Sequence, residues 1–157
     1  MDSEQTSIKT PFSLKEKLAD YASLTKMRLA SLVVYSAGLG YGIALLTAEV
    51  YPRVNKLDFD FSWKVFLYLI LGGFFVTGSS NALNQIFERS SDKKMKRTEN
   101  RPLPAGSMSV AEAWIVSIIL GAVGLYLLYE INTVCCTLGL IALLSYSIVY
   151  TPLKKLT

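Results

Sequence analysis

The chain has 157 residues, 52% of them hydrophobic, a formal net charge of +4 and no histidine. Charges are withdrawn completely from four long stretches, whereas the helices of a soluble bundle carry charged residues on one face at helical period, so a water-soluble helical domain is excluded.

Residues 1–28 read as a cytoplasmic N-terminal segment. A polar head is followed by Phe12, Leu14, Leu18, Tyr21 and Leu24, the spacing of an amphipathic helix lying at the headgroup level. Acids precede the bases and no apolar core occurs before residue 29, so no cleavable signal is read. Asp2, Glu4, Glu16 and Asp20, with no Arg before Arg28, argue against a mitochondrial transit peptide and for a bacterial plasma membrane.

Residues 29–157 read as a membrane domain. The uncharged runs cover 29–48, 65–87, 113–129 and 131–153, each near the roughly 20 residues that carry a helix across the hydrocarbon layer. They predict an all-α, polytopic bundle with four spans at about 29–48, 65–87, 110–129 and 131–151, the third resting on the shortest run. In the first span Gly38, Gly40 and Gly42 are expected to let helices approach closely. Residues 49–62 form a connection, and Trp63 marks a lipid–water boundary. The second span carries Gly72, Gly73 and Gly78 and turns polar at Ser79, Ser80 and Asn81; a polar helix end at membrane depth must face a cavity or other protein. The prolines of Arg101-Pro102-Leu103-Pro104 are expected to end the helical region. Ser109 and Glu112 match a capping box for the third span. Cys135 and Cys136, adjacent within the fourth span, point about 100° apart on a helix and are expected only to pack. Lys and Arg cluster before the first span, between the second and third, and after the fourth, which predicts cytoplasmic N- and C-termini and a cytoplasmic loop at 84–108.

The chemistry is concentrated at the end of the second span. Asn84, Glu88 and Asp92 recur every four residues, so on a helix they form one stripe of side-chain oxygens. Lys93, Lys94, Lys96, Arg97 and Arg101 follow immediately. Oxygen ligands for a hard divalent cation beside cations that can hold phosphate are the parts needed to bind a diphosphate whose tail lies in lipid. The bland alternative is a solvated helix surface supported by i,i+4 pairs, with a basic cluster that only sets topology. The polar turns leading into the stripe favour the first reading.

The string Asn84-x3-Glu88-x3-Asp92-x2-Met95-x-Arg97-Thr98-x2-Arg101-Pro102-Leu103 resembles the first aspartate-rich motif of the UbiA-type intramembrane prenyltransferases, and its continuation resembles the protoheme IX farnesyltransferase (haem O synthase) branch. Leu24-Thr25-Lys26-Met27-Arg28 and Tyr150-Thr151-Pro152-Leu153-Lys154 resemble the flanking segments of that branch, although the family more often has Pro between the Lys and the Arg. The resemblance implies a nine-helix fold and Mg²⁺-dependent transfer of a farnesyl group from farnesyl diphosphate to a vinyl group of haem b, giving haem O. By position it makes Asn84, Glu88 and Asp92 the catalytic metal–diphosphate site, with Lys96, Arg97, Arg101, Arg28 and Lys154 as diphosphate contacts. As partners it implies membrane lipid and a downstream haem A synthase or oxidase assembly, and no nucleic acid. Glu88 stands where relatives commonly have Asp, and Ser90 where some carry a further acid; the longer Glu arm shifts the ion. Family members also have a second acidic motif, and no Asp or Glu follows Glu130 here. The sequence is therefore expected to correspond to the N-terminal half of such an enzyme and to be inactive alone. Alternative readings are a UbiA-type enzyme acting on an aromatic quinone precursor and a non-catalytic membrane fragment. A CDP-alcohol phosphotransferase needs an Asp-Gly-x-x-Ala-Arg start that is absent.

Overall fold

The structure is a computed structural model that describes residues 13–50 and 61–150; Phe12, Lys154 and residues 51–60 of the first connection lie outside them. The described residues form α1 (Leu14–Leu24), α2 (Met27–Val50), α3 (Trp63–Asp92), α4 (Pro102–Ala105), α5 (Val110–Tyr129) and α6 (Thr133–Leu144), with α6 running on as a π-helical segment, Ser145–Tyr150. Side chains start the long helices: Ser62 Oγ accepts from Val65 N at 3.4 Å, Ser109 Oγ from Glu112 N at 3.1 Å, and Asn132 Oδ1 from Cys135 N at 2.8 Å. Each satisfies one of the N–H groups that a first helical turn leaves without an intrahelical partner.

Three helices, α2, α3 and α5, are long and apolar enough to cross a membrane, and α6 adds a shorter apolar one. On α2, Leu32, Tyr35, Ile43 and Leu46 are each more than 60% exposed, a surface that lipid tails solvate and water does not. The chain is a multi-pass helical membrane protein. The third span rests on the shortest uncharged run, and α5 covers 20 residues, Val110–Tyr129, the bounds expected for that span. Glu112, in its first turn, accepts from Tyr21 Oη (2.5 Å) and Lys17 Nζ (3.4 Å) of α1. The same hydrogen bond raises the Tyr21 phenol above its ordinary range. The shorter helix is α6, with 12 residues before the π-helical segment.

Helix α3 is central, packing most extensively against α5 and also against α2 and α6. The α3–α5 crossing is made by small residues. A Cβ on Gly124 would lie 2.8 Å from Val76 N and 3.0 Å from Gly72 O, and one on Gly121 would lie 2.9 Å from Ser79 Oγ. Ser79 Oγ donates to Ser117 O at 2.7 Å across the same seam. With no water to exclude between lipid-embedded helices, close backbone approach and such hydrogen bonds hold the pair. Of the α2 glycines expected to serve this purpose, only Gly38 has packed neighbours, Ile70 and Phe66; Gly40 and Gly42 face open space. Cys135 and Cys136 are free thiols packed against Val76, Leu128 and Leu143, as expected for packing residues.

The stretch after Arg101 departs from a plain helix stop. Arg101 is extended (φ −69°, ψ 154°), as a residue before proline should be, but Pro102 then occupies the first position of the one-turn α4, where its missing N–H costs nothing. Gly106 ends the turn at φ 78°, a conformation glycine adopts without strain.

Candidate functional site

At 30 residues, α3 is about 45 Å long and outreaches a hydrocarbon layer of about 30 Å. Its C-terminal turns therefore emerge at the end of the bundle that also holds the α1–α2 junction and the start of α5. There Asn84, Glu88 and Asp92 share one face, and they are only 2%, 5% and 3% exposed. A solvated surface stripe would be open to water; this one is enclosed. Asn84 Nδ2 donates to Glu88 Oε2 at 3.3 Å. Arg101 Nη1 donates to Asp92 Oδ2 at 2.6 Å in an ion pair whose Arg side chain is 25% exposed.

The loop after α3 explains how an arginine nine positions on reaches that carboxylate. Thr98, itself buried, donates through Oγ1 to Asp92 O at 2.9 Å, closing the end of α3 with a side-chain bond. Thr98 N then bonds Met95 O, and Arg101 N bonds Thr98 O, so successive turns fold the chain back. Among the expected cationic contacts that are described, Arg101 is the one with a side-chain pairing to the stripe. Lys96 and Arg97 are exposed on the loop, and Arg28 is exposed on the first turn of α2.

Part of the polar end of α3 serves packing. Gln85 Nε2 donates to Ser23 O and Leu24 O, both at 2.9 Å, and Asn81 Nδ2 donates to Thr25 O at 3.1 Å. The carbonyls left over at the end of α1 are thereby satisfied by α3. One turn before Asn84, Ser80 Oγ is buried without a hydrogen-bond partner. It lines a cavity of about 320 Å³ whose other walls include Leu29, Val33, Val76, Leu143 and Tyr146. An apolar cavity therefore begins where the oxygen stripe ends.

No cluster of three or more His, Cys, Asp or Glu occurs among the described residues, so any ion here would have two carboxylates and one amide from this chain. That donor set fits Mg²⁺, which is usually held by one or two carboxylates while waters and phosphate oxygens complete its shell. Thr98, Asn81 and Gln85 escape a reading based on charge, because their roles lie in backbone carbonyls that only the folded loop and the α1 terminus bring near.

The structure is thus a multi-pass helix bundle with two buried carboxylates at the tip of a span, next to an apolar cavity. The model of the UbiA prenyltransferase family matches residues 57–157, and the chain belongs to that family. Similar relatives are each named protoheme IX farnesyltransferase. That of Flavobacterium johnsoniae is 37% identical over 95% of this chain and 46% of the relative. That of Christiangramia forsetii is 41% identical over 89% and 42%, and that of Myxococcus xanthus 43% identical over 92% and 45%. The chain thus spans less than half the length of the curated relatives it matches. No solved structure matches it.

Proposed function

We propose that the chain carries the diphosphate-activating part of a protoheme IX farnesyltransferase-type enzyme, which transfers a farnesyl group from farnesyl diphosphate to haem b. The observation that carries the reading is the enclosed Asn84–Glu88–Asp92 face with Arg101 on Asp92, joined to the relatives' shared name.

Asn84, Glu88 and Asp92 bind Mg²⁺, which when bound stabilises negative charge on a departing diphosphate. Arg101 keeps the Asp92 carboxylate aimed and presents further N–H donors to phosphate oxygens; a planar guanidinium suits both tasks. Lys96, Arg97, Arg28 and Lys154 supply the outer cationic contacts. The cavity beside Ser80 accepts the isoprenoid chain, and the lipid-embedded helices keep water from the reacting carbon. Purified residues 1–157 are expected to turn over no farnesyl diphosphate, since the chain holds one acidic motif. A chimera continuing it with the remaining part of the Flavobacterium johnsoniae relative should convert haem b and leave 4-hydroxybenzoate unchanged. Turnover by the chain alone would refute the first expectation; prenylated 4-hydroxybenzoate with untouched haem b would refute the acceptor.

We place the protein in a bacterial plasma membrane, and the Lys and Arg distribution supports an α3 tip and both termini in the cytoplasm. A Lys94→Cys variant should react with a membrane-impermeant maleimide in inverted vesicles and not in intact cells. Labelling in intact cells would reverse the topology.

A further inference from the structure

The sequence gathers Leu14, Leu18, Tyr21 and Leu24 on one apolar face of the first helix, and the structure divides that face. Leu24 is 0% exposed in a cluster with Ala82, Ile86 and Leu103, and Tyr21 packs against that cluster. Leu14 and Leu18, one turn apart, are 77% and 60% exposed. Lys17 Nζ and Tyr21 Oη donate to Glu112 at the start of α5. At the other end of α1, Gln85 and Asn81 of α3 hold the carbonyls of Ser23, Leu24 and Thr25. The helix is thus fastened to two different spans and lies across the end of the bundle instead of projecting from it.

That end of the bundle borders water, since Lys93, Lys94, Lys96 and Arg97 stand exposed on the connection after α3. It also borders lipid, because α2 begins at Met27, directly after the α1 corner, and is long and apolar enough to cross the membrane. A helix lying there meets protein, water and lipid on three sides. Lys17, Tyr21 and Leu24 take the protein side. Glu16 and Asp20 follow Leu14 and Leu18 by two residues each, about 200° around a helix axis, so the acids stand almost opposite the leucines. Ser23, seven residues after Glu16 and likewise exposed, shares the acidic side. Carboxylates belong in water, which leaves Leu14 and Leu18 for lipid. Past the corner, α2 presents Leu29 and Leu32 to the same medium, 45% and 64% exposed. Lys15 is exposed three positions before Leu18, and its long apolar stem can follow the leucines while its ammonium stays at the level of lipid phosphates.

We propose that the Leu14–Leu18 flank of α1 is seated in the headgroup–acyl boundary of a phospholipid membrane, with Lys15 at a lipid phosphate, and that this seat holds α1 as a strap across the end of the bundle. The test places the purified chain in nanodiscs of phosphatidylethanolamine and phosphatidylglycerol. Cys135→Ser and Cys136→Ser clear the background, and one nitroxide is attached at Leu14→Cys, Leu18→Cys or Ser23→Cys. Paramagnetic resonance then reads collisions with oxygen, which concentrates in lipid, and with a nickel chelate, which stays in water. Labels at 14 and 18 should collide with oxygen and lose nickel, and the label at 23 should do the reverse. Two labelled positions on the leucine flank guard against one label displacing the helix. Leu14→Asn combined with Leu18→Asn should speed hydrogen exchange of the α1 amides about tenfold while those of α5 are unchanged. Nickel access at 14 and 18 equal to that at 23 would overturn the lipid seat. So would labels at 14 and 18 shielded from both probes in the chimera with the Flavobacterium johnsoniae relative, which would give the flank to the remaining part of the enzyme. Unchanged α1 exchange in the double variant would overturn the strap.

Discussion

Asp92→Ala is expected to reduce farnesyl transfer by roughly 100- to 1,000-fold in the chimera with the Flavobacterium johnsoniae relative, the range seen when one preorganised charge-stabilising group is removed, while membrane insertion is unchanged. Three consequences converge on this carboxylate. It is one of two acidic groups on the stripe, it is 3% exposed, and it is the anchor of Arg101 at 2.6 Å. On the proposed reading, removing it takes a ligand from the metal; it also leaves a guanidinium without its counter-charge in a partly enclosed setting, where a missing partner is costly. Arg101→Lys should lose less, because an ammonium keeps the charge but not the planar pair of donors. Diphosphate release measured on membranes reads the effect. Normal release from Asp92→Ala would return the stripe to an ordinary helix surface.

Gly124→Val is expected to destabilise the bundle by about 1–3 kcal/mol or more. Its new Cβ would meet two groups that cannot turn aside, Val76 N at 2.8 Å and Gly72 O at 3.0 Å, both backbone. Helices α3 and α5 would have to separate, weakening the neighbouring Ser79–Ser117 hydrogen bond and the seam on which the α3 tip depends. Gly73→Ala is the control, since a Cβ there meets nothing within 4 Å. Heat denaturation in detergent should show a lowered midpoint for Gly124→Val and none for Gly73→Ala. An unchanged midpoint for Gly124→Val would mean that the crossing tolerates greater separation.

The membrane architecture was legible because uncharged runs of spanning length leave no soluble solution. The Asn84–Glu88–Asp92 stripe was legible because fourfold spacing is a one-dimensional trace of a helix face. What escaped depends on contacts between distant segments. Gly38, Gly40 and Gly42 look alike in sequence, and only the folded bundle distinguishes the packed first from the open other two. The pairing of Glu112 with Tyr21 and Lys17, about 90 residues earlier, left no local trace. The prolines after Arg101 read as a stop, and local geometry turned them into the start of α4. In the sequence, Lys26 stood out only within the flanking string Leu24-Thr25-Lys26-Met27-Arg28. Its left-handed backbone and its clamp by Asn81 and Gln85 exist only once α1 docks on α3.

The most direct measurement substitutes Mn²⁺ for Mg²⁺ and detects, by electron–nuclear double resonance, phosphorus coupling between bound Mn²⁺ and added diphosphate on the purified chain. Coupling present in the unchanged chain and lost in Glu88→Gln and in Asn84→Ala is the predicted result. Coupling that survives both substitutions, or that never appears, would contradict a diphosphate site at the tip of α3.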